Sequence, residues 1–343
     1  MSRFRRASLG PDFGYVPGEQ PADGSDWLKL NTNEAPFGPS PAVAPAMAGA
    51  ADLQRYPDPR AEPLRSAIAG HHGVRAEQVF VANGADQVID CCFRAFCEPG
   101  DRAVWPAPTY SLFPVLARVF AVDVAEVPLE DDLTFPATLG TEPGVLRFAV
   151  NPNSPTGVWT RPEALEEILA PAPGVVAIDE AYCDFAPSSC LPLLPHHESW
   201  LVLRTFSKAY ALAGLRVGYA VGAPDLIADL EAVKDSYPVD RGAIAGCIAA
   251  LDDEAHHRRL VDTVVEQRAR LTAVLRSSGW DVVESGANFV FARPPRGDAR
   301  AVEARLRSAR ILVRWFAAHP DRLRISVGAP EAMDRLFAAL DGA

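Results

Sequence analysis

From about Pro36 to Pro238 the chain alternates apolar runs of four to six residues with stretches patterned as helices. "QVFVA" precedes a predicted helix at Ala85–Cys97, and "RAVWPA" precedes one at Tyr110–Phe120; "VLRFAV", "VVAIDEA", "WLVLRTF" and "RVGYAVG" follow. Runs with no polar alternation need cover on both faces, and parallel strands need a crossover between them. Strands recurring with helices between them therefore predict an α/β architecture, a large domain whose mostly parallel sheet is flanked by helices.

After "DSYPVDRG" the pattern changes to long charged amphipathic helices such as Asp253 to Ser277. Short strands "NFVFAR", "ILVRWF" and "RLRISVG" and a closing helix at Pro330–Leu340 follow, the look of a smaller α+β domain. Residues 1–35 are punctuated by Pro and Gly and read as an arm lying over another surface, with part of it joining the small domain. The expected organisation is an arm over 1–35, a large domain over 36–240 and a small domain over 241–343. A chain of 343 residues exceeds the roughly 250–300 at which single cores stop growing, in keeping with two units.

The formal charge of −11 argues against nucleic acid or an anionic membrane as the main partner, since both demand a basic face. A small molecule is the expected partner. No apolar run follows the early arginines and none approaches the roughly 18–20 residues of a membrane span, so a cytoplasmic location is expected. The six cysteines lack paired spacing and fit reduced, buried thiols better than disulfides or zinc ligands. The adjacent His pairs at 71–72, 196–197 and 256–257 also lack ligand spacing, and no metal site is expected.

In open parallel sheets ligands collect beyond the carboxyl ends of the strands. Here "VFVAN" runs into Gly84, Ala85 and Asp86, which open a helix with an apolar stripe. Small residues at a helix start leave N–H groups free for a phosphate, although Asp86 alone reads equally as an N-terminal cap. Asp179 ends the apolar run "VVAID", where a buried carboxylate demands a cationic or donor partner. Lys208 ends "RTFSK" and is one of only three lysines, with Lys29 and Lys234, among 33 basic residues. Arg216 follows eight residues later in "GLRVG", able to meet the same anion.

An amine, a phosphate-ready helix start, an arginine and a buried carboxylate together match what pyridoxal 5'-phosphate requires. Its aldehyde takes an amine, its phosphate takes backbone donors and an arginine, and its ring nitrogen takes a carboxylate. No GxGxxG, GxxxxGK[ST] or HExxH template competes.

These residues, with "LKLNTNEAPFGPSP", "RYPDP", "NGADQ", "PTYSLF", "NPNSPTG", "DEAYCDF" and "LRISVG", resemble the fold-type I aminotransferases, and within them the histidinol-phosphate aminotransferase subfamily, over nearly the whole chain. The resemblance implies a Schiff base at Lys208, which also shuttles the substrate proton. It implies Asp179 at the ring nitrogen, Tyr182 at the ring oxygen and Tyr110 stacked on the ring. Gly84, Ala85, Asp86, Thr205, Ser207 and Arg216 would hold the phosphate, Asp86 only through its backbone or as a helper on the ring side. Tyr56 would reach the neighbouring subunit's cofactor, implying a homodimer with composite sites. Arg324 would grip the substrate carboxylate, Arg314 would help with the distal group, and Tyr15 and Asn33 match positions where the arm closes over substrate.

One departure stands out: where much of the family has an asparagine before Pro-Thr-Gly, this chain has Ser154, with Asn153 one place earlier. Either Asn153 serves the ring oxygen or Tyr182 acts nearly alone. The reaction implied is ping-pong transamination of histidinol phosphate with 2-oxoglutarate. An aromatic or specialised amino acid aminotransferase, and a decarboxylase of an amino-acid phosphate such as threonine phosphate, use the same scaffold.

Overall fold

The computed structural model describes residues 4–6, 9–10, 13–21 and 26–341. In chain order the strands are β1 (Leu28–Leu30), β2 (Val79–Ala82), β3 (Arg102–Ala107), β4 (Asp123–Pro128), β5 (Leu146–Val150), β6 (Val175–Asp179), β7 (Trp200–Thr205), β8 (Gly218–Gly222), β9 (Asp281–Val282), β10 (Phe289–Arg293), β11 (Ile311–Phe316) and β12 (His319–Ser326). Seven of them form one sheet in the order β2-β8-β7-β6-β5-β3-β4. Only β8 runs against its neighbours. The α/β expectation therefore holds.

The apolar runs behave as a doubly covered sheet requires. Val79, Val81, Val176, Ile178 and Val202 pack into one core, while Phe80, Ala82, Ala177, Leu201 and Leu203 pack into the other. This period of two has a direct consequence at the strand ends. Asp179 follows Ala177 and Thr205 follows Leu203, so both face the side covered by the helix Gly84–Phe96, whose Val88, Ile89 and Cys92 lie in the same core. On that side Phe113 stacks on Phe148 at 4.4 Å between ring centroids, both fully buried.

The remaining strands make a second sheet in the order β1-β11-β12-β10-β9. It packs with the helices Glu254–Ser277, Ala299–Ser308 and Pro330–Asp341 around Leu260, Leu271, Phe289, Leu306 and Leu336. Strand β1 pairs parallel to β11, tying the N-terminal arm to this sheet. The helix Arg241–Asp252 differs from the sequence reading. Its Ala243, Ile244, Cys247 and Leu251 enter the core of the seven-stranded sheet, so these residues pack with the large unit although they follow "DSYPVDRG". Small side chains explain it, since Gly246 sits where an added Cβ would press on Met47. No helix among the described residues is long and apolar enough to cross a membrane.

Candidate active site

A cavity of about 510 Å³ opens between the carboxyl ends of β5, β6 and β7, the arm, and the β11–β12 hairpin. Lys208, Asp179, Tyr182, Tyr110, Arg216 and Arg324 all line it, as do Ala85, Asp86, Thr205, Ser207, Tyr15, Asn33 and Arg314. Asp179, Thr205 and Ser207 reach it from the ends of β6 and β7, Ala85 and Asp86 from the helix after β2, Asn33 from beyond β1, and Arg314 and Arg324 from within β11 and β12.

The Lys208 Nζ donates to the Thr32 carbonyl oxygen at 3.4 Å and lies 5.7 Å from the Tyr182 ring centroid. It forms no ion pair among the described residues, whereas Lys29 is paired to Glu34 at 2.7 Å and Lys234 sits 3.8 Å from Glu231. Of the three lysines only this amine is both inside the cavity and free of a carboxylate. Asp179 is 4% exposed, and among the described residues its carboxylate accepts only the Ala181 N–H, at 2.9 Å. Burial, with smaller contributions from Asp86 and Glu180, pushes its carboxyl up to about 7. A carboxylate so placed is stabilised by a cation, and a protonated ring nitrogen provides one.

The phosphate end has a cradle shape. The helix Gly84–Phe96 starts with no side-chain cap from Asn83, so its first N–H groups remain available. Gly84 has φ +80°, and a Cβ there would stand 2.7 Å from Arg216 Nη2, so glycine lets the guanidinium come against the helix start. Gly218 admits the same helix start from the other side, since its Cβ would meet the Ala85 nitrogen at 2.3 Å. The Thr205 and Ser207 hydroxyls lie 2.9 Å apart, and the Ser207 N–H donates to Thr205 Oγ1 at 3.1 Å. Asp86 turns its carboxylate to Arg216 at 3.0 Å and accepts the Tyr110 hydroxyl at 2.8 Å. Its carboxylate is therefore engaged by the Arg216 guanidinium and the Tyr110 hydroxyl. Burial and the Asp86 charge raise the Tyr110 phenol, which stays protonated. The donors and the carboxylate present fit pyridoxal 5'-phosphate.

Asn33 is 1% exposed and joins the arm to the site. Its Nδ2 donates to the Tyr182 hydroxyl at 3.1 Å, while its Oδ1 accepts from Ser326 at 2.8 Å. Since the Tyr182 oxygen accepts from Asn33, its own proton is left for another acceptor. At the opposite end, Arg324 Nη1 donates to Ser154 Oγ at 3.1 Å and Nη2 to the Asn31 carbonyl at 3.0 Å. Its Nε is buried without a partner, and no carboxylate pairs with it among the described residues. Burial lowers its pKa, the response of a cation that lacks a counter-ion.

Two expectations change. Asn153 does not line the cavity: its Nδ2 donates to the Pro108 carbonyl at 3.0 Å and to Thr156 at 3.1 Å, and its Oδ1 accepts from Thr109 at 2.9 Å. The amide is spent on holding two loops together, and Ser154 faces the site instead. Arg314 lines the cavity, but its guanidinium donates to the arm carbonyls of Pro17 at 3.3 Å and Val16 at 3.1 Å, so it fastens the arm. Tyr56 is 74% exposed, stacks on Tyr237 at 4.3 Å, and lies outside its own subunit's cavity. Sequence reasoning missed Ser154, Asn31 and Thr32 as partners of the two cations. It also missed His319, which no motif marked.

The family model for aminotransferase class I and II matches residues 25–340. A histidinol-phosphate aminotransferase from Aromatoleum aromaticum is 46% identical over 352 residues, 99% of each chain. Histidinol-phosphate aminotransferase 1 from Bordetella parapertussis is 45% identical, covering 99% of this chain and 98% of its own. Among solved structures, histidinol-phosphate aminotransferase from Sinorhizobium meliloti in complex with pyridoxal-5'-phosphate superposes with a TM-score of 0.85 at 30% identity, covering 91% of this chain and 89% of that one. The chain belongs to the class I and II aminotransferases, in their histidinol-phosphate aminotransferase subfamily.

Proposed function

We propose that this protein is a pyridoxal 5'-phosphate-dependent aminotransferase that takes nitrogen from an amino donor and passes it to a 2-oxo acid, with histidinol phosphate and 2-oxoglutarate as the substrate pair. The observation that carries the reading is the Lys208 amine in one cavity with the buried Asp179 carboxylate and the unpaired Arg324 cation.

When bound, the cofactor supplies an electron-accepting ring that stabilises negative charge at the substrate Cα. The chain's own groups would do the rest. Asp179 would hold positive charge at the ring nitrogen, in a site where burial strengthens the attraction. Tyr182, fixed by Asn33, would donate its free proton to the ring oxygen. The N–H groups at Ala85 and Asp86, the Thr205 and Ser207 hydroxyls and Arg216 would hold the phosphate. Lys208 Nζ would take the Cα proton and return it, general acid–base help worth roughly 10²–10⁴-fold. Tyr110 would cover one ring face, aided by the Asp86 hydrogen bond on its hydroxyl.

Arg324 offers a planar fork with three N–H groups not already donated to Ser154 and Asn31. Such a fork takes a carboxylate bidentately and also accepts a phosphate, which suits a site that alternates between glutamate and a phosphorylated amino alcohol. The exposed Tyr56 and Tyr237, with Leu53 and Val16 also exposed, support a homodimer in which Tyr56 enters the partner's site. We place the enzyme in the cytoplasm, consistent with its small-molecule chemistry.

The test is direct: purified protein loaded with cofactor is mixed with histidinol phosphate and 2-oxoglutarate, and glutamate is measured. Formation of glutamate at the rate of donor loss supports the assignment. Release of CO₂ without glutamate contradicts it.

A further inference from the structure

Strands β11 and β12 pair as Arg314 with Arg324 and Trp315 with Leu323, and then step directly to Phe316 with His319. Pro320, Asp321 and Arg322 are therefore looped out of the ladder on one strand. A bulge of this kind turns the chain and re-aims the side chains beside it. It is held in place from two sides: Trp315 Nε1 donates to the Pro320 carbonyl at 3.1 Å, and Arg322 pairs with Asp281 at 2.8 Å. The Arg300 guanidinium covers the Trp315 ring at 4.8 Å. The result is that Ala318 and His319 reach the cavity wall beside Phe316.

The His319 imidazole stands at 86° to the Phe291 ring with centroids 5.8 Å apart. Its Nε2 is enclosed with no hydrogen-bond partner among the described residues, so Nδ1 is the ring nitrogen left open to a ligand. Burial lowers its pKa, so the ring is neutral near pH 7 and offers one donor and one acceptor. A neutral imidazole does not compete with Arg324 for an anion. Phe316, Tyr15 and Ala318 line the same cavity.

We propose that His319 is a specificity-determining residue: carried to the cavity by the β12 bulge, it hydrogen-bonds the uncharged, ring-borne polar group of the amino donor while Arg324 holds the donor's anionic end. The proposal rests on the aminotransferase reading and names the part of the donor this wall selects. A donor without a ring, such as glutamate, makes no use of it.

The experiment compares wild type, His319→Ala and His319→Gln as loaded enzymes in single half-reactions with histidinol phosphate and with glutamate. The alanine variant is expected to raise KM for histidinol phosphate by about 5- to 20-fold, the range of one lost hydrogen bond, with kcat within about 2-fold. Its glutamate half-reaction stays unchanged, and the glutamine variant, which keeps a donor and an acceptor, recovers part of the loss. Equal changes for both donors, or none for either, overturn the role of His319. A wild-type enzyme that uses glutamate but not histidinol phosphate contradicts the substrate assignment alone. The comparison then runs with aromatic amino acid donors, where an alanine variant with unchanged KM overturns the proposal. A wild type that accepts no ring-bearing donor overturns both.

Discussion

Ser154 Oγ accepts a hydrogen bond from Arg324 Nη1 at 3.1 Å, so the hydroxyl that replaces the family's asparagine is turned to the Arg324 end of the cavity. The same loop places Asn153 against Pro108, Thr109 and Thr156. Ser154→Ala is expected to weaken binding of 2-oxoglutarate by about 10-fold, as for loss of a hydrogen bond to a charged group, and to leave the absorbance of the loaded enzyme unchanged. Spectrophotometric titration with the 2-oxo acid checks both. A shifted cofactor spectrum with unaltered affinity assigns the hydroxyl to the ring instead.

Asp179 makes the cofactor-free protein sensitive to pH. Its carboxyl is raised to about 7 by burial, so the folded state binds that proton more tightly than the unfolded chain does. Stability therefore falls as pH climbs from about 4 to about 7 and stays reduced above that. Asp184, raised to about 7 by burial and by Glu180, adds a loss in the same window. Urea midpoints of cofactor-free wild type and Asp179→Asn at pH 5 and pH 8 test the first contribution. The wild type should lose more than the variant, by on the order of 2 kcal/mol. Parallel profiles contradict the account.

Tyr56 tests the proposed dimer. It is exposed, and its ring touches only Tyr237 among the described aromatic residues. Tyr56→Ala should therefore fold normally while weakening retention of the cofactor by about 5- to 20-fold, the effect of one hydrogen bond to phosphate. Equilibrium dialysis gives the affinity, and sedimentation gives the mass. A monomeric wild type, or unchanged affinity in a dimer, removes the composite site.

Phe148 supports the face of the sheet that carries Asp179 and Thr205. It is fully buried and stacks on Phe113, with Phe93 at 5.5 Å. Phe148→Ala should cost about 3–5 kcal/mol in chemical denaturation, the range for truncating a buried phenylalanine. A loss below about 1 kcal/mol means the core refills the space.

Much of this was legible in the sequence because the strands are apolar on both faces and their polar endings stand out. Asp179, Lys208 and Gly84 are visible in that way, and the period of two then decides that Asp179 and Thr205 share a face. Local loop geometry is not encoded so simply. Whether Asn153 or Ser154 faces the cavity depends on which amide contacts the Thr109 and Pro108 loop makes. The role of Arg314 depends on where the arm's carbonyls fall, and the placing of His319 depends on a bulge with no turn signature of its own. The helix Arg241–Asp252 carried no mark of its partner, since small apolar residues suit either core.

The account stands on one amine. Lys29 and Lys234 lie beside carboxylates, and Lys208 alone faces the cavity without one. Borohydride reduction of the loaded enzyme followed by peptide mapping should leave the cofactor's mass on the Lys208 peptide and nowhere else. A tag on Lys29 or Lys234, or no tag at all, contradicts it.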